Sequence, residues 1–188
     1  MLKVDANDDA HDVDAPSVLW CYGPTLPLED FVRSASLLEN AHWVSAHEFP
    51  VCTEHACWPD LGSVDAFWSG YRMQPVVVVR DASRRAFRSC GKHAVDVGCL
   101  HRLLSGPARD VSVRDGKGLK TVRTRVAAVV ILSNQSPLEC LKDATAEALA
   151  SVMRCIHIVC KLPHNGTSEM AKRMLVDLAA TCPEPVCE

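Results

Sequence analysis

What this chain lacks narrows its reading first. No apolar run approaches the roughly 20 residues that a membrane-crossing helix needs, so no spanning segment and no membrane partner are expected. The opening stretch carries Asp5, Asp8, Asp9, Asp12 and Asp14, and an acidic start contradicts a secretory or mitochondrial targeting segment. A net charge of -3 over 188 residues gives no overall basic field, so any nucleic-acid contact has to come from a local patch. No Cys-x-x-Cys pair, no internal repeat and no low-complexity tract occurs. No Ser-His-Asp or Cys-His grouping has a spacing that suggests nucleophilic catalysis.

A hydrophobic content of 48% is enough for the core of one ordinary domain. The ten cysteines are scattered through apolar segments, which favours reduced, partly buried thiols in an intracellular protein, with nucleus and cytoplasm unresolved. His47, Cys52, His55 and Cys57 are dense enough to consider for zinc but lack a regular paired spacing, and no metal is assigned. Cys182 and Cys187 lie in a Pro-containing tail whose pairing the sequence leaves open.

The most telling stretch is Phe67-Trp68-Ser69-Gly70-Tyr71, followed by Gln74-Pro75 and four consecutive valines, Val76 to Val79, that run into Arg80-Asp81. Four β-branched residues without polar alternation describe a strand buried on both faces, as in a parallel sheet covered by helices. Ligands of open α/β sheets bind outside the carboxyl ends of the strands, which makes Asp81 a metal or nucleotide candidate. An acid facing solvent at a strand end is the plainer alternative.

Around it, residues 1–16 read as an acidic flexible leader, and Ser17 to Tyr22 as a buried strand closed by Gly23-Pro24. A helix is expected from Pro27, with Glu29 and Asp30 in its first turn. Trp43-Val44-Ser45 reads as a short strand, and Ala94 to Leu104 as a helix stopped by Gly106-Pro107. Strands at 110–113 and 119–122, joined by Arg114-Asp115-Gly116-Lys117-Gly118, form a hairpin. Val126 to Leu132 is a second apolar strand ending at Ser133-Asn134. A helix over 143–152 leads to a third at 155–160, and a helix over 168–180 closes the chain.

This order of parts is that of a P-loop ATPase. More narrowly, residues 17–163 resemble the superfamily 3 helicase domain found in replication initiator (Rep) proteins of small circular single-stranded-DNA viruses and in related RNA-virus helicases. Four places carry the likeness. Val18 to Thr25 looks like the strand and opening of that family's phosphate loop, with Gly23, Pro24 and Thr25 as its first residues. Trp68-Ser69-Gly70-Tyr71 with Gln74 and the valine strand is similar to the segment leading to its second nucleotide motif, of whose two acids only Asp81 survives. Val129 to Pro137 looks like its polar sensor motif, whose Asn, here Asn134, helps orient the attacking water. Met153-Arg154 resembles the place of its adjacent arginines, one of which reaches a neighbouring subunit's phosphate. The resemblance implies an AAA+-like three-layer α/β fold with a mostly parallel sheet, Asp81, Asn134 and Arg154 in catalytic positions, and Arg114, Lys117 and Lys120 at a hairpin that touches nucleic acid. The viral initiators also carry a nicking domain, which this chain is expected to lack.

The phosphate loop departs from the pattern. It should supply glycines that let backbone N–H groups wrap the phosphates, a Lys that neutralises them, and a Ser or Thr that holds Mg²⁺. This chain offers Leu26-Pro27-Leu28-Glu29-Asp30 instead. Two like charges ~4 Å apart repel by roughly 4 kcal/mol at an effective dielectric near 20, so Glu29 works against a polyphosphate. Glu29 and Asp30 either fill the positive helix end themselves or are ordinary first-turn acids. The expectation is a pseudo-ATPase without a cofactor, serving as a module for single-stranded DNA or RNA or for a protein partner, itself or a replication protein. The alternative is an ATP- and Mg-dependent helicase component whose phosphate grip a partner completes. Arg80 is expected to pair with Asp81 or with a loop acid in the place of Mg²⁺.

Overall fold

The computed structural model describes residues 15–24, 40–46, 68–84, 87, 89–90, 93–94, 97–106, 110–115, 118–162 and 173. The helix expected after Pro27, the His47/Cys52/His55/Cys57 group, the acidic leader up to residue 14, and the closing helix apart from Arg173 lie outside these residues.

Strands β1 (Ser17–Tyr22), β2 (His42–Ser45), β3 (Val76–Ala82), β8 (Ala128–Ser133) and β9 (Ile158–Lys161) form a five-stranded sheet in the order β2-β3-β8-β1-β9. Every pairing in it is parallel. Apolar residues without alternation predict such a sheet, because both faces must be covered. Val76 to Val79 are at most 2% exposed, and Ala128 to Ile131 are fully buried. Burying each such valine contributes roughly 1.5–3 kcal/mol before chain entropy is counted. One face of the sheet shows Val18, Trp20, Val44, Val77, Val79, Val129 and Ile131; the other shows Leu19, Cys21, Val76, Val78, Val130 and Leu132.

Against the first face lie helices α1 (Val97–Ser105) and α3 (Ala146–Cys155), which pack on each other through Leu100, Leu103, Leu104 and Val152. A one-turn helix α2 (Pro137–Cys140) precedes α3. Two antiparallel ribbons complete the described elements, β4 (Ser89–Cys90) with β5 (His93–Ala94), and the hairpin β6 (Asp110–Asp115) with β7 (Gly118–Arg123). Val111 and Val113 turn one side of the hairpin into the core, and Val122 packs beside them.

Several boundaries differ from the sequence expectation. Towards the tip β6 runs two residues further and β7 one, so Arg114 belongs to β6 and pairs with Leu119 rather than lying in a five-residue loop. Ala94 belongs to β5, not to the helix. Cys155 ends α3 and is not in the last strand; Thr145, whose side chain accepts a hydrogen bond from the Ala148 N–H, caps that helix and sets its start at Ala146. His157 accordingly lies ahead of β9, half of a two-way contact with β1: its N–H donates to the Val18 carbonyl (3.1 Å) and its Nδ1 accepts from the Val18 N–H (3.0 Å).

At the amino end of the sheet, Trp68 and Tyr71 are buried with His42, their rings in edge-on contact at 5.0 Å. The aromatic lead-in to the valine strand is therefore a core wedge. Its Tyr71 hydroxyl accepts from the Arg125 N–H (3.1 Å), and the Pro75 carbonyl accepts from the Ala127 and Ala128 N–H groups. These bonds tie the start of β3 to the start of β8. Tyr71→Phe leaves the Arg125 N–H without its acceptor and should cost about 1 kcal/mol, read as a lowered urea midpoint with an unchanged slope.

Candidate ligand site at the carboxyl edge of the sheet

Strand order decides where a ligand can sit. From β1 the chain crosses to the far side of the sheet for β2, returns stepwise through β3 and β8, and then passes over β1 to reach β9. Connections leaving β1 and β8 thus travel in opposite directions, the arrangement that in open α/β sheets leaves a ligand crevice at the carboxyl ends of the strands. Tyr22 is opposite Ser133, and Ser133 is opposite Ala82. Gly23, Asp81 and Asn134 therefore stand at one edge, with β1 and β3 about 10 Å apart, two strand spacings.

Asp81 is held out of the ladder. Val79 faces Ile131 and Ala82 faces Ser133, so three steps on β3 match two on β8. The extra residue is a bulge, and Asp81 sits in it with φ of 60°. The valine strand therefore does not end at the acid, as its sequence suggests, but resumes at Ala82, which the bulge returns to the face of Val77 and Val79. A left-handed conformation is costly for a residue with a Cβ but is tolerated by Asp better than by most. Asp81 accepts from the Ser45 hydroxyl at 3.2 Å, and its contact with the Arg80 guanidinium is long, 3.9 Å, with both side chains mostly exposed. An exposed pair of this kind contributes about 0–1 kcal/mol, too little for Arg80 to act as a buried substitute for Mg²⁺.

The sensor-like segment divides its polar groups. Ser133 is buried; its hydroxyl donates to the Ala82 carbonyl (2.6 Å), accepts from the Gln135 N–H (2.9 Å) and touches the Cys140 sulfur (3.3 Å). Burial pushes the Cys140 thiol up to about 11. The Gln135 carbonyl accepts from the Trp20 indole (3.2 Å), and its side-chain oxygen accepts from the Arg84 N–H (2.9 Å). Arg84 in turn grips Asp143 through Nε and Nη2 at 2.9 and 3.0 Å, and this forked pairing raises the guanidinium further above its ordinary value. Asn134 is exposed, with no side-chain partner among the described residues.

Gly23 is committed to the scaffold. Its N–H donates to the Ser133 carbonyl (3.0 Å), while the Leu162 N–H donates to the Tyr22 carbonyl (2.8 Å). A Cβ on Gly23 would stand 2.8 Å from the Leu162 carbonyl oxygen and 3.1 Å from its Cβ. Glycine is needed here for close approach to β9. Pro24 follows, half-buried, while Thr25, Glu29 and Asp30 lie outside the described residues.

Arg154 is not brought to this edge. It occupies the last turn of α3, which runs back to the amino end of the sheet, and its Nη2 donates weakly to the Ser151 hydroxyl (3.5 Å). Lys120 is exposed on β7 opposite Val113, Arg123 pairs loosely with Asp110 (3.8 Å), and the hairpin springs from the residues just before β8. The hairpin's Lys120 and Arg123 thus lie towards the amino end of the sheet, while Arg80 and Arg84 stand at the carboxyl edge. Arg114 is in β6, and Lys117 lies outside the described residues. No group of three or more His, Cys, Asp or Glu among the described residues could hold a metal ion, and no described helix is long and apolar enough to cross a membrane.

Ser133, Gln135 and Asp143 are not singled out by the sequence, whereas Arg84 stands out in it only as one of a basic cluster with Arg85 and Arg88. The signal that existed was Ser136-Pro137-Leu138-Glu139, a capping box with Pro at the first helical position. Both halves form: the Glu139 N–H donates to the Ser136 hydroxyl, and the Ser136 N–H donates to the Glu139 carboxylate at 2.8 Å. No protein-family model matches the chain, and no curated protein shows significant similarity to it.

Gly23→Ala should destabilise the fold by about 1–3 kcal/mol, because backbone must shift to admit the methyl group; chemical denaturation measures it. The Ser136 N–H and hydroxyl hold the Glu139 carboxyl below its ordinary value. A depressed carboxylate stabilises above its unfolded value and loses that contribution as pH falls through its folded one. Glu139→Gln keeps an acceptor in the box and removes the proton, so its denaturation midpoint should fall less than that of the wild type between about pH 6 and about pH 3.

Proposed function

We propose that this chain is a helicase-like P-loop domain of the replication-initiator type that has lost its nucleotide cradle and serves as a single-stranded nucleic-acid-binding module. The observation that carries the reading is the position of β8. A group that orients water between a phosphate loop and a metal-binding acid has to come from a strand lying between the two, and Asn134 follows a strand flanked by β1 with Gly23 on one side and β3 with Asp81 on the other. The antiparallel hairpin ahead of that strand, with Lys120 and Arg123 exposed, supplies the cationic surface.

The loss of nucleotide chemistry rests on the groups at the crevice. Gly23 has spent its N–H on Ser133 and lies against Leu162, and the following sequence contributes two leucines, a proline and two acids where a phosphate needs donors and a cation. Arg80, in a long and exposed contact with Asp81, makes a poor stand-in for a metal ion. Asp81 provides a carboxylate at the bulge of β3.

In calorimetry the purified protein should bind no Mg-ATP at micromolar concentration. In fluorescence anisotropy it should bind a mixed-sequence single-stranded oligonucleotide, with Lys120→Glu weakening it; each lost phosphate contact should flatten the dependence of log K on log salt by about 0.7. ATP turnover that disappears in Asp81→Ala would favour instead the ATP-dependent component completed by a partner subunit. Equal oligonucleotide binding by Lys120→Glu and wild type would remove the hairpin from the interface.

A further inference from the structure

Cys21 on β1 and Cys160 on β9 are directly opposite one another in parallel register, and both are reduced and buried, at 0% and 5% exposure. Adjacent strands are about 4.8 Å apart, which lies inside the range of Cα separations that a disulfide spans. Both side chains leave the sheet on the same face, among Leu19, Leu132 and Leu162. The remaining described thiols lie elsewhere: Cys140 faces Ser133, and Cys155 donates to the Ser151 carbonyl.

We propose that Cys21 and Cys160 are a redox-active dithiol that closes to a cross-strand disulfide when it meets a peroxide. This does not depend on the helicase-like reading. β9 is a four-residue strand at the border of the described sheet, and Cys160 keeps 5% exposure against 0% for Cys21, so Cys160 is the thiol that a small oxidant reaches first. Its sulfur attacks one peroxide oxygen, the O–O bond breaks, and hydroxide leaves and takes up a proton as water. The sulfenic acid on Cys160 is then attacked by the Cys21 sulfur; the S–O bond breaks, the S–S bond forms, and a second water leaves. Two thiols and one hydrogen peroxide thus become one disulfide and two waters, each sulfur losing one electron to the peroxide oxygens.

The hydrogen bond from Cys21 lowers the Cys160 thiol against the opposing effect of burial, while the same bond and burial raise Cys21 far above the thiol range. Only the thiolate is nucleophilic, so the pair favours first attack at Cys160. Closure would fasten β9 to β1 two residues below Gly23 and Leu162, the tight approach at the crevice.

The test treats the full chain with hydrogen peroxide, unfolds it in an alkylating reagent and maps cysteines by mass spectrometry without reduction. The expected result is a joined pair of peptides containing Cys21 and Cys160 that separates on reduction. Cys160→Ser should leave Cys21 unoxidised and alkylated, whereas Cys21→Ser should leave a sulfenic acid on Cys160 that a dimedone probe captures. The inference is overturned if Cys21 and Cys160 of the wild type are both alkylated after peroxide, or if either is joined to another cysteine of the chain instead.

Discussion

Strand β8 is the constraint on which the remaining structure depends. It is buried along its whole length and pairs in parallel with β1 on one side and β3 on the other. Both of its ends are fastened by hydrogen bonds that are not part of the ladder. At the amino end, Pro75 and Tyr71 accept from the N–H groups of Ala127, Ala128 and Arg125. At the carboxyl end, Ser133 bonds the Ala82 carbonyl through its hydroxyl and the Gly23 N–H through its own carbonyl. In an interior where an unpaired polar group costs 1–3 kcal/mol or so, these bonds allow one register for all three strands and thereby choose which residues meet at the crevice.

That choice explains why the bulge at Asp81 is tolerated. Without the extra residue, Ala82 would turn to the other face and its carbonyl would not meet the Ser133 hydroxyl. The left-handed backbone of Asp81 costs on the order of 1 kcal/mol, and the Ser133 bond with the burial of Ala82 offsets it. The same kink carries Arg80 and Asp81 into solvent, which is why their mutual attraction is weak although they are neighbours in sequence. The bulge thus leaves an exposed carboxylate on a strained backbone at the carboxyl edge of the sheet.

The sheet was legible in the chain because it needed only unbroken apolar runs. Val76 to Val79 and Val129 to Leu132 cannot be amphipathic in either period, and both lie at the sheet centre. Short or polar elements were less legible. Cys155-Ile156-His157 looks like the beginning of a strand, yet α3 has a cap at Thr145 that carries it through Cys155, and His157 then serves β1 through its ring. The bulge could not be read, since Arg80-Asp81 looks like an ordinary polar strand end and only the register against β8 reveals the additional residue. At the site, Gly23, Asp81 and Asn134 were named from sequence and do share an edge, whereas Arg154 does not join them. The Arg84–Asp143 and Ser133–Gln135 contacts join residues far apart in the chain or hidden within a turn, and no local pattern encodes them.

The two ends of the sheet have unlike characters, and β8 connects them. Its amino end receives the hairpin with Lys120 and Arg123; its carboxyl end gives rise to Asn134. A motor of this layout would need β8 or its flanking segments to respond to a nucleotide at one end and shift the hairpin at the other, which requires groups free to exchange partners. Here Gly23, Ser133, Gln135 and Arg84 are each paired with scaffold atoms, and Gly23 has no room beside Leu162. Under the nucleic-acid reading the consequence is a hairpin held on a fixed platform. Such a platform loses less conformational entropy when it binds a strand than a moving one would, so under that reading the locked carboxyl edge contributes to binding.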